Sequence, residues 1–175
     1  MLSRKTQEEV IEDMMRRPIP RKRVGIIHLE MVRECRCLNG MRRMTDSREA
    51  VNMVRPLFEK ADRELMLVLS LSAKLEPLAL EVAAVGGLDT CSVDVRNLFK
   101  HTILNNGAYV ACFHNHPSGD PAPSRTDRRV TERIGQAGAI LGIPLLDHII
   151  IGNDGRFFSF REEGLIVSEL PDDAA

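Results

Sequence analysis

Positions 112 to 127 read Cys112-Phe113-His114-Asn115-His116-Pro117-Ser118-Gly119-Asp120-Pro121-Ala122-Pro123-Ser124-Arg125-Thr126-Asp127, and this stretch leaves the chain few choices. The residues before His114 suit a buried strand, whereas Pro117 to Pro123 hold too much proline and glycine to continue a strand or begin a helix. A strand must end near the histidines, the chain must turn, and a helix must follow the last proline. Residues i and i+2 of a strand face the same way, so His114 and His116 converge on one point while Asn115 turns aside. The turn brings the next helix back towards the imidazoles with Asp127 in its first turn. Two imidazoles and a carboxylate give a divalent ion three protein ligands and leave a position open for water, which suits a catalytic ion rather than a closed structural one. The pattern points to hydrolysis.

Ser124 and Asp127 carry a second reading, because Ser124-Arg125-Thr126-Asp127 also fits a capping box with Ser at the N-cap and an acid at N3. Beside His-x-His the metal reading prevails, since two imidazoles aimed at one point with no cation between them are costly to desolvate. The readings are compatible: Ser124 can cap the helix and still face the open position. Hydrolysis also needs a carboxylate to take a proton from water and pass it to the leaving group. Glu64, Glu81 and Asp120 are the candidates, spacing alone does not choose among them, and each also reads as a solvated surface acid.

Around this motif, strand and helix patterns alternate. Val24 to Val32 reads as a strand. Thr45 or Asp46 caps a helix with Val51, Val54, Leu57, Phe58 and Ala61 on one side, which Pro56 should bend or divide. Leu65 to Leu71 has the length of a buried strand, and Leu78 to Val85 reads as a second strand paired with it. Asp94 caps a helix whose apolar face is Val95, Leu98, Phe99 and Ile103, ended at Asn106-Gly107 by a left-handed C-cap. Ala108 to Phe113 is the strand that delivers the histidines. Val130, Ile134, Ala137 and Leu141 mark one face of a long helix that stops at Gly142-Ile143-Pro144. Leu145 to Ile151 and Arg156 to Phe160 are strands joined at Asn153-Asp154-Gly155, a hairpin signal, and the tail from Arg161 reads as a short helix. The sum is an α/β sandwich with a mixed sheet.

With 175 residues, 43% of them apolar, and a net charge of −1, the chain can bury one ordinary core, assigned to residues 24–175. It has no Trp and a single tyrosine, Tyr109, which argues against an aromatic platform for single-stranded nucleic acid. The near-neutral charge argues against a broadly basic DNA-binding surface. No secretory or bilayer-spanning run accompanies Cys35, Cys37, Cys91 and Cys112, so a reducing cytoplasm is the expected compartment and a membrane is not an expected partner. Cys35 and Cys37 lack the second pair that a closed metal site needs and read as buried or inert thiols. Residues 1–23 are a basic leader: Arg4, Lys5, Arg16, Arg17, Arg21, Lys22 and Arg23 outnumber Glu8, Glu9, Glu12 and Asp13. Val10, Ile11, Met14 and Met15 are spaced for a short amphipathic helix. A solvated leader is the first reading of this segment. A basic arm that touches phosphate is the second, and nucleic acid enters as a partner only through it.

His114-Asn115-His116-Pro117-Ser118-Gly119-Asp120-Pro121, followed by Pro123-Ser124 and Asp127, resembles the JAMM metalloprotease motif in the form carried by bacterial RadC-like JAB/MPN proteins. The resemblance extends to Asp62-Arg63-Glu64 before an apolar strand, to Gly86 to Leu88, to Val95 to Phe99, and to Leu145-Leu146-Asp147-His148-Ile149-Ile150-Ile151-Gly152 followed by Asp154-Gly155-Arg156. It implies the MPN (JAB) fold, related to cytidine deaminase, with a mixed sheet between helices. It also implies zinc held by His114, His116 and Asp127, with Ser124 as the hydroxyl that helps hold an oxyanion. Glu64 becomes the acid that activates water, with Glu81 as second choice. The implied activity is that of a zinc metallopeptidase cleaving a peptide or isopeptide bond in an unidentified protein substrate.

The N-terminal region shows no Gly-rich helix-hairpin-helix pattern of the kind in the longer RadC-like proteins, a departure that puts in doubt any DNA association inferred from that module. Two other readings stand beside the hydrolase. One is a DNA-repair or mobile-element accessory protein whose metal site is structural or vestigial; the other is an iron(II) oxygenase, which uses the same donors but does not suit this loop. His148 reads as a hydrogen-bonded strand histidine rather than a partner of a metal-bound one. Asp120 either orients a metal-bound histidine or shapes the loop, and His28 and His101 read as structural or surface residues.

Overall fold

The computed structural model describes residues 41–86 and 94–166, together with Glu12 and Arg16. Backbone contacts divide the chain into units of residues 1–32 and 33–175, and the fold below is that of the second. The expected leader helix and its boundary at residue 23, the strand Val24 to Val32, His28, Cys35, Cys37 and Cys91 lie outside the described residues.

The elements run α1 (Ser47–Val54), a 3-10 turn (Arg55–Leu57), β1 (Leu65–Leu71), β2 (Pro77–Val85), α2 (Val95–Leu104), β3 (Tyr109–Asn115), α3 (Arg125–Leu141), β4 (Leu145–Ile151) and β5 (Phe157–Ser159). Helix α1 begins where the Asp46 side chain accepts the Glu49 N–H at 2.9 Å, which satisfies one of the donors a helix start leaves open. Pro56 has no N–H to extend the ladder, and the α-helix gives way to the 3-10 turn there. The division leaves Leu57 exposed, against expectation, while Ala50, Val51, Met53 and Val54 form the buried side.

The apolar face expected for α2 also needs revision. Leu98 and Phe99 are buried, but so are His101 and Thr102, and Ile103 is 51% exposed. At its end Asn106, not Gly107, takes the left-handed conformation (φ 56°). Strand β3 extends two residues past the expected stop, because its ladders to β1 and β4 persist through Met66 opposite His114 and Asn115 opposite Ile151. Helix α3 ends as the sequence suggests, with Gly142 left-handed at φ 67°. Leu141 is half-exposed there, and the buried positions are Thr131, Ile134 and Gly138. The β4–β5 turn carries Asp154 and Gly155 at φ 56° and 76°, the positive pair that a tight hairpin requires. Residues 161–164 form turns instead of the expected helix.

The five strands make one mixed sheet in the order β2-β1-β3-β4-β5, with β3 and β4 parallel and every other neighbouring pair antiparallel. Alternation along the strands sends Leu67, Leu69, Leu71, Ala111 and Phe113 towards α1. Met66, Val68, Val110 and Cys112 go to the other face, against Leu98 and Phe99 of α2 and Ile134 of α3. The sheet is thus sandwiched by helices, as the alternating pattern implied. On the α1 face Asp147 is fully buried, accepting bonds from Ser47 Oγ (3.1 Å), Ser159 Oγ (2.6 Å) and Arg161 N–H (3.0 Å).

The loop after β3 is locked to the β4–β5 hairpin. Gly119 O accepts from Asn153 N–H and from the Arg156 guanidinium, each at 3.0 Å. Gly152 leaves the room for this approach, since a Cβ there would lie 2.6 Å from Gly119 O and 2.8 Å from Pro121 Cδ. Gly152→Ala is therefore expected to displace the loop and to destabilise the protein by about 1–3 kcal/mol. A shift of the urea midpoint with an unchanged slope checks this, and an unshifted midpoint contradicts it.

Candidate metal centre

Strand β3 carries the first imidazole to its buried end. His114, 3% exposed, follows Val110 and Cys112 on the α2/α3 face, and His116 lies just past the strand with its N–H still bonded to Ile151 O at 3.1 Å. Asn115 points the other way, where its side chain accepts from Leu65 N–H at 2.8 Å and donates to Arg63 O at 3.1 Å. These two bonds bracket Glu64, whose carbonyl accepts from Gly86 N–H at 2.8 Å. Glu64 is close enough to His116 for its charge to help raise the imidazole pKa.

The crossover helix α3 supplies the third group. Ser124 Oγ accepts the Asp127 N–H at 3.1 Å, and Asp127 Oδ2 accepts the Ser124 N–H at 2.7 Å, a complete capping box. The Asp127 carboxylate meanwhile faces the histidines, with Oδ1 3.3 Å from His114 Nε2 and Oδ2 3.5 Å from His116 Nε2. The two Nε2 atoms are 3.1 Å apart.

The other sequence candidates fall elsewhere or act differently. Glu81 lies against buried His101, Oε2 to Nδ1 at 3.0 Å. Asp120 contributes its main chain: its carbonyl oxygen faces His116 Nδ1 at 2.8 Å, while its carboxylate accepts the Ala122 N–H at 3.2 Å. His148 is more than a strand histidine. Fully buried, it sets Nε2 2.9 Å from His114 Nδ1 and Nδ1 2.6 Å from Thr131 Oγ1, and it stacks on Phe160 at 5.2 Å. Thr131 is absent from the residues that the sequence singles out. The one signal for it is its position four residues after Asp127, which puts it on the same helical face.

Electrostatics tie the group together. The hydrogen bond to Asp127 raises the His116 pKa above its ordinary value, against the opposing effect of burial. Burial alone would raise Asp127, but the facing imidazoles of His114 and His116 and the hydrogen bond from Ser124 outweigh it and hold the carboxyl well below the usual range. Burial pushes His148 well below its ordinary value, and the imidazole of His114 beside it acts in the same direction. Cys112, beneath the site in β3, is driven upwards by burial and stays a thiol.

The donors fit a transition-metal ion. A carbonyl oxygen cannot donate, so His116 must place its proton on Nδ1 to meet Asp120, which leaves Nε2 a bare acceptor when the ring is neutral. That lone pair, His114 Nε2 and the Asp127 carboxylate converge with one ligand atom from each residue within 4.8 Å of the others. Tetrahedral bonds of about 2.0–2.1 Å put donor atoms about 3.3 Å apart, which the three separations straddle.

A mixed sheet between helices, with such a cluster where a parallel strand meets its crossover helix, defines an α/β domain of the JAB/MPN type. The chain belongs to the RadC-like JAB domain family, whose profile matches residues 44–165. It resembles a UPF0758 protein of Methanosarcina mazei, 39% identical over 125 residues that cover 71% of this chain and 54% of the relative. A UPF0758 protein of Desulforamulus reducens is 49% identical over 105 residues, 60% of this chain and 46% of the relative. The chain spans about half the length of the curated relatives it matches. Among the described residues no helix is long and apolar enough to cross a membrane.

His116 must be neutral to ligate, and its pKa in the metal-free site is raised from the ordinary 6.5. Protons should therefore compete with metal from above pH 6.5, affinity falling about tenfold per unit once His116 is mostly protonated. Calorimetric titration across this range checks the slope, and an affinity independent of pH below 6.5 contradicts it.

Proposed function

We propose that this protein is a zinc-dependent hydrolase of the JAMM type that cleaves a peptide or isopeptide bond. The observation that carries the reading is the convergence of three acceptors, His114 Nε2, His116 Nε2 and the Asp127 carboxylate, on one point, with Ser124 capping the helix that brings Asp127 and the charge of Glu64 reaching His116. Zinc held there supplies Lewis acidity towards a water and a carbonyl oxygen. Three protein ligands leave it a further position, which favours catalysis over a purely structural metal.

Glu64 would take a proton from water and return it to the departing amine, a role supported by the reach of its charge to His116. The Asn115 bonds on either side hold the Glu64 main chain while the proton moves. Ser124 caps α3 through an oxygen lone pair, so its hydroxyl proton remains to stabilise the negative oxygen of the tetrahedral intermediate. Asp127 stays ionised and balances part of the charge on the ion.

The test is a screen of metal-replete protein against peptide and lysine-linked isopeptide substrates, with metal content measured in parallel. Glu64→Gln should lower kcat by about a hundredfold to ten-thousandfold with zinc stoichiometry unchanged; full activity in this variant refutes the assignment of the base. Ser124→Ala should lower kcat about a hundredfold and cost about 1 kcal/mol of stability through the lost cap. Stoichiometric binding of protein or nucleic acid without cleavage by the fully loaded protein would instead favour the accessory-protein reading.

A further inference from the structure

The hydrogen bonds behind His114 can run in only one direction. Thr131 Oγ1 lies 2.7 Å from the Asp127 main-chain carbonyl oxygen and 2.6 Å from His148 Nδ1. Each distance requires a proton between the two atoms. The carbonyl has none to give and the hydroxyl has one, so Thr131 donates to Asp127. The other bond must then come from His148 Nδ1–H. His148 is fully buried with Phe160 stacked on its face, and its two ring nitrogens meet Thr131 and His114 rather than a carboxylate; a second proton would leave an unpaired charge in the core. Its Nε2 is therefore an acceptor, and the 2.9 Å contact with His114 Nδ1 is filled by a proton from His114.

A neutral His114 with its proton on Nδ1 presents a bare Nε2 to His116 and Asp127. The alternative tautomer would put an N–H where the three donors converge. We propose that Thr131 and His148 are positioning residues, in which the one hydroxyl proton of Thr131 fixes the tautomer of His114 and so presets the site to receive a metal. This inference rests on the metal-dependent reading above.

The chain of bonds also brings its two ends together. It starts at the main-chain carbonyl of Asp127 and ends at His114 Nε2, which faces the Asp127 side chain at 3.3 Å. Strand β3, strand β4 and helix α3 each contribute, so the chain of bonds holds the helix that carries Asp127 in register with the strand that carries His114.

Two measurements test the proposal. Long-range nitrogen–proton NMR of the metal-free wild-type imidazoles, at mildly alkaline pH, should show His114 and His148 each protonated at Nδ1. Competition against a chromophoric chelator should show zinc affinity reduced about ten- to a hundredfold in Thr131→Val, with Thr131→Ser, which keeps the hydroxyl, binding as the wild type does. A proton on Nε2 of His114 in the metal-free wild type overturns the proposal, as does undiminished zinc affinity in folded Thr131→Val. Failure of the wild type to bind zinc at all overturns the metal-dependent reading instead, and the NMR result then decides the tautomer by itself.

Discussion

Parallel pairing of β3 with β4 is the constraint from which the site follows. Two parallel neighbours cannot be joined by a hairpin, so the chain leaving His116 must recross the sheet before β4 can start. It does so as α3, and the recrossing begins at the end of the sheet where β3 has just stopped. The helix's first turn is thereby set beside the strand's last residues, and Asp127 reaches both imidazoles. The same pairing seats His148 opposite Cys112, within reach of the back of His114. Ligands and their support are thus two products of one topological requirement.

Two carboxylates on opposite faces of this sheet, Asp147 buried and Asp127 half-buried, show how surroundings separate structure from chemistry. Asp147 is met by the hydroxyls of Ser47 and Ser159 and by the Arg161 N–H. Its donors are ordinary and permanent, and burial still raises its pKa. Asp127 is met by two imidazole nitrogens as well as by its cap, and its pKa moves the opposite way. The raised His116 and the lowered Asp127 are two sides of one attraction between an imidazole and a carboxylate. A cation between them satisfies the same three acceptors together.

Features set by local chemistry were readable in the sequence. The largely apolar run of β1 marked its bounds, Gly142-Ile143-Pro144 marked the end of α3, and the histidine pair with its proline-rich loop implied the strand, turn and helix that follow. Burial on the helices was less readable, because periodicity registers apolar character and not which neighbour covers it. Ile103 and Leu141 are apolar and exposed, while His101, Thr102 and Thr131 are polar and buried. Their partners come from distant segments: Glu81 for His101, and His148 for Thr131. Glu64 is the same case among the candidate site residues. Only the resemblance singled it out from the sequence, and the physical reason for its place is the side chain of Asn115, on a different strand, holding the residues on either side of it.

Asp127 both closes the capping box of α3 and faces the two imidazoles. An alanine substitution would confound these roles, since removing the carboxylate loosens the first helical turn and deletes a ligand at once. Part of any loss at this position would be conformational and part chemical, with nothing in that one variant to apportion them. Asparagine keeps a side-chain oxygen for the Ser124 N–H and discards the charge, so its own loss is the share that belongs to the ion, and the further loss in the alanine variant is the share that belongs to the cap.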